Sequence, residues 1–222
     1  MRKLLITIDG PAGAGKTTVS KMLSDKLGYI YVDTGALYRG VALDAIKKGV
    51  SSDDEESLKA LCESLDLTFV LENKRPVLMS NGNNISGLIR TPEVTMMASA
   101  VSAKKVVRDF LLHLQRQLGK DKCAVFEGRD MGTVVFPDAD IKFYLDAAAG
   151  DRAKRRYDQV KGQSTQTLEE IKKDILTRDN NDSKRNIAPL KPAEDAILID
   201  STPLSALEVV DTMMTYITTM AS

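Results

Sequence analysis

The run Gly10-Pro11-Ala12-Gly13-Ala14-Gly15-Lys16-Thr17 narrows most what this chain can become. It satisfies Gly-x-x-x-x-Gly-Lys-Ser/Thr in full. In front of it, Leu4 to Ile8 is short, apolar and partly β-branched, which predicts a buried parallel strand. Behind it, Val19, Met22, Leu23 and Leu27 fall at helical spacing, and Gly28 is placed to end that helix. Strand, glycine-rich turn and helix, in that order, are the context in which the motif forms a phosphate-binding P-loop. Glycines let successive backbone N–H groups turn toward oxyanions without side-chain clashes, and the helix N-terminus adds partial positive charge. Gly10 to Thr18 is therefore the candidate triphosphate cradle. Lys16 is placed to reach the β- and γ-phosphates of ATP, and the Thr17 hydroxyl to hold Mg²⁺. The competing interpretation is a plain glycine-rich turn with a solvated lysine; motif and context together weigh against it.

The bulk of the chain excludes several other functions. At 222 residues, 43% hydrophobic and 28% charged, it suits one soluble domain with room for a small insertion. Its 31 basic and 31 acidic side chains cancel, so no long-range field draws it to nucleic acid or an anionic membrane, and neither is expected as a partner. Cys62 and Cys123 lie far apart, in no C-x-x-C pair and no histidine cluster, which removes zinc and redox motifs and fits a reducing cytosol. The apolar start at Leu4 to Ile8 is interrupted by Asp9 and Gly10-Pro11, too early for a signal peptide, and no stretch reaches membrane-spanning length. The expectation is a cytoplasmic monomer.

Along the chain, Tyr29 to Val32, Cys123 to Phe126, Ile141 to Leu145 and Ala196 to Ile199 give four more short strands separated by helical stretches. Five strands alternating with helices predict an α/β fold, a P-loop doubly wound five-stranded parallel sheet with helices on both faces. Between them, Leu67 to Leu71, Val77 to Met79 and Ile85 are strand-like patches split by Asn73-Lys74-Arg75-Pro76 and Asn81-Gly82-Asn83-Asn84. Asn-Gly between apolar patches is a hairpin signal. A small antiparallel β insert of three strands is thus expected at 66–91, interrupting a core made of 1–65 and 92–222.

Candidate partners of the P-loop lie where strands end. The loop Asp33-Thr34-Gly35-Ala36-Leu37-Tyr38-Arg39 follows the second strand, on the rim that carries the P-loop. There Arg39 is placed to approach a phosphate and Tyr38 a sugar, though Asp33 equally suits a helix N-cap. The third strand runs into Glu127-Gly128-Arg129-Asp130, and a carboxylate at that tip is a candidate to organise Mg²⁺ and its waters; a charged turn is the alternative. Arg152, Arg155 and Arg156 share one helix face by spacing, as do Arg178, Asp182 and Arg185. Solvated helical charge explains such stripes as a rule. In a P-loop protein without net charge they also suit phosphate clamps, since arginine stays ionised and binds oxyanions in pairs. A GTPase would need Asn-Lys-x-Asp, and the nearest string, Asn73-Lys74-Arg75-Pro76, lacks the aspartate.

Taken together, Ile6 to Lys16, Asp33 to Arg39, Ile89-Arg90-Thr91-Pro92-Glu93-Val94, Gly128 to Ala139 and Asn186-Ile187-Ala188-Pro189-Leu190 resemble the bacterial cytidylate kinase family of P-loop nucleoside monophosphate kinases. The similarity runs from Ile6 to about Ser201. It implies phosphoryl transfer from ATP-Mg²⁺ to CMP or dCMP, giving ADP and CDP or dCDP, in pyrimidine nucleotide metabolism. By resemblance, cytosine recognition falls to Ser99, Arg108 and Asp130, the acceptor phosphate to Arg39, Arg129 and Arg185, and the sugar to Tyr38, Arg178 and Asp182, with Thr34 also at the acceptor. It makes about 150–165 a short lid whose Arg152 and Arg155 meet the transferring phosphoryl group. Glu127 stands where aspartate is frequent; it keeps the charge and adds a methylene, so metal contact there can pass through water. A kinase of a non-nucleotide such as shikimate would lack the cytosine-reading set and the hairpin insert.

Two consequences follow. The acceptor phosphate is already mostly dianionic at neutral pH, its second pKa being about 6, so no strong base is needed. His113, the only histidine, is expected as a surface or packing residue, and catalysis as positioning with charge neutralisation by Lys16, Mg²⁺ and arginines. Second, Ser99 and Arg108 lie nine residues apart, on opposite sides of an unbroken helix. Both reach one base only if the helix from Pro92 to Gly119 breaks, and Ala103-Lys104-Lys105-Val106 is the expected place.

Overall fold

The computed structural model describes residues 3–72, 75–162 and 165–221. The expected turn at Asn73-Lys74 and residues Gln163 and Ser164 of the expected lid lie outside them. In chain order the elements are β1 (Leu5–Asp9), α1 (Lys16–Leu27), β2 (Ile30–Asp33), α2 (Thr34–Lys47), α3 (Glu55–Ser64), β3 (Leu67–Glu72), β4 (Arg75–Ser80) and β5 (Asn83–Asn84). There follow α4 (Pro92–Val101), α5 (Lys105–Gly119), β6 (Ala124–Glu127), a π-helical turn (Met131–Val135), β7 (Ile141–Asp146), α6 (Ala149–Val160), α7 (Leu168–Ser183), β8 (Ile197–Asp200) and α8 (Ala206–Ala221). The chain divides into two compact units, Met1–Ile30 with Lys122–Ser222, and Tyr31–Asp121.

Five strands form one sheet in the order β2-β6-β1-β7-β8, with parallel pairing along β6-β1-β7-β8, as the alternation of strands and helices predicts. β1 is central and buried along its whole length, its polar Thr7 and Asp9 included. Its side chains alternate between faces. Leu4, Ile6 and Ile8 join Val19 and Leu23 of α1 and Val209, Val210, Met213 and Ile217 of α8 in one core. Thr7 and Asp9 point the other way and are buried too, toward the segment after β6: a Cβ on Gly132 would meet Thr7 Oγ1 at 3.1 Å. At its other end α1 stops at Gly28, whose φ of 69° supplies the left-handed cap.

The unit from Tyr31 to Asp121 is held by helix caps and a second core. Asp33 caps α2 by accepting from the Ala36 N–H at 3.1 Å, and Asp54 caps α3 through Ser57. β3, β4 and β5 form the expected antiparallel sheet. Asn81 and Gly82 have φ of 47° and 76°, the two positive values a type I′ hairpin demands, so Asn-Gly is read correctly there. Leu67, Leu78 and Ile85 from this sheet segment pack with Leu37 and Val41 of α2, Leu58 of α3, Val94 and Val101 of α4, and Val107 and Leu111 of α5. α4 starts with Pro92 behind the Thr91 cap, stops at Val101, and α5 begins at Lys105. The helix therefore breaks over Ser102-Ala103-Lys104, overlapping the expected place and opening one residue earlier.

One element is not apparent from sequence. Residues 131–135, expected as part of a rim loop, form a π-helical turn in which the Val134 and Val135 amides both donate to the Asp130 carbonyl, at 2.9 and 3.2 Å. Five residues with three consecutive β-branched side chains carry no helical period. Long-range contacts hold it instead: Asp9 accepts from two of its amides, and the Phe136 ring that follows lies tilted against Phe126 with centroids 4.5 Å apart.

Candidate active site

β1 ends at Asp9, and the chain turns at once through Gly10 (φ 145°) into the glycine-rich loop. Lys16, the first residue of α1, is buried, and its Nζ donates to the carbonyls of Gly10 and Pro11, both at 2.7 Å. Burial pushes its ammonium well below the ordinary lysine range; Arg129 adds to this and so does Arg178, while Glu127 and Asp9 oppose it. A buried lysine beside two arginines is a place where added negative charge is welcome. Thr17, next on α1, donates from Oγ1 to Glu127 Oε1 at 2.8 Å. A hydroxyl and a carboxylate oxygen in contact beside a helix N-terminus suit Mg²⁺, which takes few protein oxygens and completes its shell with phosphate and water. Among the described residues no group of three or more His, Cys, Asp and Glu could hold a metal.

α6 and α7 close on the same loop. Arg152 donates from Nε to the Ala147 carbonyl and from Nη1 to the Ala12 carbonyl, both at 2.8 Å, and pairs with Asp179. Asp179 in turn accepts from the Ala12 N–H at 3.1 Å. Both polar groups of the Ala12 peptide are thus gripped by side chains far away in sequence. Arg155 donates to Ser201, at 3.0 Å to Oγ and 2.5 Å to the carbonyl, and the Ser201 hydroxyl donates to the Ala14 carbonyl at 3.1 Å. The arginine stripe of α6 is therefore split: Arg152 and Arg155 are tied to the P-loop directly or through Ser201, whereas Arg156 is exposed. On α7, Asp182 is buried and binds Arg129 Nε at 2.9 Å and Arg185, so Arg129, Asp182 and Arg185 form one ionic cluster. Arg178 completes the charge around Lys16.

In the other unit, Asp33 caps α2, as its place in the sequence suits, and also pairs with Arg39 Nη2 at 2.7 Å; Arg90 lies 3.7 Å away. Tyr38 is buried, with the Arg108 guanidinium 5.7 Å from its ring centroid. Arg108, the fourth residue of α5, donates to the Ser102 carbonyl at 3.0 Å, and the Ser102 hydroxyl donates to the Ser99 carbonyl at 2.7 Å. The break turns Arg108 back toward the end of α4 that carries Ser99. Thr34 is buried at the start of α2. His113 is exposed on α5, and Cys62 is buried with its thiol pushed up to about 11 by burial.

Three residues of these clusters had no signal of their own in the sequence: Asp9, Arg90 and Asp179. Asp9 is buried and accepts from the Met131 and Gly132 amides at 2.9 and 2.7 Å. Burial pushes its carboxyl up from 3.8 to about 6; the two amides and Lys16 pull it down, and Asp130 pushes it further up. A carboxyl raised on folding contributes stability that is fully present below its unfolded value and is lost as the pH rises through about 6. The stability difference between the wild type and Asp9→Asn, from urea unfolding, should hence shift in favour of the wild type by on the order of 3 kcal/mol between pH 7 and pH 4. A difference that stays constant with pH would show that Asp9 does not titrate in that range.

The family model described as cytidylate kinase matches residues 6–219. The chain belongs to the cytidylate kinase family. A cytidylate kinase of Geobacter sulfurreducens is 48% identical, covering 96% of this chain and 91% of that protein, and one of Pasteurella multocida is 46% identical, covering 97% and 95%. A shikimate kinase structure from Bacteroides thetaiotaomicron shares the fold, with a TM-score of 0.52 at 9% identity, covering 97% of this chain and 99% of that one. Members of the cytidylate kinase family are phosphotransferases, so a nucleotide phosphoryl donor and a small nucleotide substrate follow from membership. Among the described residues, no helix is long and apolar enough to cross a membrane.

Proposed function

We propose that this chain transfers the γ-phosphoryl group of ATP to a phosphate oxygen of CMP or dCMP, giving ADP and CDP or dCDP. The observation that carries the reading is the buried Lys16, set in a complete P-loop and crowded by Arg129 and Arg178. Phosphate oxygens reaching such a cluster are stabilised by its concentrated positive charge. In the transfer, a bond forms between an acceptor phosphate oxygen and Pγ, and the bond from Pγ to the β,γ-bridging oxygen breaks, leaving the electron pair on ADP. The acceptor oxygen is already ionised, so no side chain has to remove a proton. Mg²⁺, held through Thr17 and Glu127, would supply charge neutralisation between the phosphates.

The residues of the chain do the rest. Gly10 to Thr18 bind the donor phosphates, and Lys16 orients the β- and γ-oxygens. Arg152 and Arg155, on the lid of about 150–165, face the transferring group and exclude water. We assign the acceptor phosphate to Arg39, Arg129 and Arg185, the sugar to Tyr38, Arg178 and Asp182, and cytosine to Ser99, Arg108 and Asp130, with Thr34 also at the acceptor and the 66–91 lobe as part of the acceptor-binding apparatus. The exocyclic amine of cytosine is a donor that a carboxylate such as Asp130 accepts. A cytoplasmic monomer without nucleic-acid or membrane partners completes the proposal. The test is ADP release measured across CMP, dCMP, UMP, AMP and shikimate. Turnover confined to, or strongly favouring, the cytidine monophosphates is expected; AMP or shikimate as the preferred acceptor would overturn it.

Asp130→Ala is expected to lower use of CMP by roughly ten- to a hundredfold, the cost of leaving a buried amine without its acceptor. ATP affinity should hold. An equal loss for ATP, measured calorimetrically, would remove Asp130 from base recognition.

A further inference from the structure

Asp9 stands at an unusual junction. Its backbone is the last residue of β1 and leads directly into Gly10, the first glycine of the phosphate loop. Its side chain faces away from that loop. The two carboxylate oxygens each accept one of two consecutive amides, Met131 to Oδ1 at 2.9 Å and Gly132 to Oδ2 at 2.7 Å. Those amides immediately follow Arg129 and Asp130. Two parallel bonds to one rigid carboxylate fix a peptide segment in position and in rotation, where a single bond would leave it free to pivot. The π-helical turn they begin is a rare conformation that concentrates at functional sites. The Gly132 position is also tightly packed, since a Cβ there would press on Lys142 Cδ and Thr7 Oγ1, each at 3.1 Å.

We infer that Asp9 is a positioning residue: it holds the segment carrying Arg129 and Asp130 in fixed register with the start of the phosphate loop. The inference rests on the reading that Arg129 and Asp130 engage the acceptor. The role needs no contact between Asp9 and either nucleotide. A displacement of about 1 Å in a group that aligns reactants costs on the order of a hundredfold in rate, so a clamp on the loop's backbone acts on turnover without contacting substrate. A role confined to holding the fold accounts poorly for the carboxylate. Burial raises its pKa to about 6 and the neighbouring Asp130 adds to this, against the pull of the two amides and Lys16. At neutral pH its charge costs stability. A residue retained at a cost to the fold beside a candidate site is what positioning by charge-assisted bonds to backbone N–H groups requires.

The test uses the full chain with Asp9→Asn and Asp9→Glu. Asparagine keeps the shape, yet offers one acceptor oxygen and turns an N–H₂ toward the second amide. We expect the KM for CMP to rise by about ten- to a hundredfold and the KM for ATP to stay within about threefold. The Met131 and Gly132 amide resonances should move markedly, and the melting temperature at pH 7.5 should not fall. Asp9→Glu keeps the charge one methylene out of place and should recover part of the loss; it carries the same comparison if the asparagine variant does not fold. A CMP constant within twofold of wild type, or CMP and ATP constants raised equally, would overturn the inference. If the wild-type protein prefers another monophosphate, the acceptor reading fails by itself, and the same split between acceptor and ATP, measured with that nucleotide, still decides the role of Asp9.

Discussion

Lys16→Met is expected to lower kcat by about 10²- to 10³-fold while the protein remains folded. The two halves of this expectation have separate physical causes. Lys16 is the one cation that the P-loop places at its own centre, and its Nζ already sits between the Gly10 and Pro11 carbonyls. Charge that develops on the β,γ-bridging oxygen during transfer needs a fixed cation in a low-dielectric setting, and none of the arginines replaces one fed in from inside the loop. Folding, by contrast, gains little from this ammonium. Burial and the neighbouring Arg129 depress its pKa well below the ordinary lysine value, so the charged form is disfavoured by the native state. Methionine preserves the length of the stem and removes the charge. Circular dichroism and a melting temperature near or above that of wild type, together with steady-state ADP release, check both halves. Turnover within a few-fold of wild type would show that the loop binds phosphate without taking part in transfer.

The parts of this site that were legible in the sequence are those whose cause is local. The P-loop announces itself because each glycine, the lysine and the threonine act within eight consecutive positions and are flanked by a strand and a helix. The Asn81-Gly82 hairpin is legible for the same reason. The break between α4 and α5 came from a different kind of argument, a conflict between helix geometry and the requirement that Ser99 and Arg108 serve one base; the observed gap at Ser102 to Lys104 resolves it. What stayed hidden depends on pairs far apart in the chain. Nothing near Asp9 marks it as the acceptor of amides more than a hundred positions away, and the π-helical turn begins at those two amides. Charge periodicity grouped Arg152 with Arg155 and Arg156, yet Arg152 is buried by Asp179, 27 positions on, which no helical spacing reveals. A face of a helix is visible in sequence; the partner that covers it is not.

Gly10→Ala is expected to be the most damaging small substitution in the phosphate loop, with a loss on the order of 4 kcal/mol in unfolding free energy. Two costs combine there. The backbone φ of 145° is one that L-residues rarely adopt, and a Cβ would fall far inside contact distance of the Leu145 carbonyl oxygen on β7. Gly10 follows the residue of β1 that pairs with Tyr144, so Leu145 is its direct neighbour across the sheet and neither backbone can yield without opening the β1–β7 ladder. Gly28→Ala separates the two costs. Gly28 also has a positive φ, 69°, but no atom lies within 4 Å of its added Cβ, so only the conformational cost of about 1 kcal/mol applies. Urea unfolding of both variants at one pH measures the difference directly. If Gly10→Ala proves no more destabilising than Gly28→Ala, the contact with Leu145 is relieved by movement of the loop, and the rigidity assigned to the junction between β1 and the cradle is lost with it.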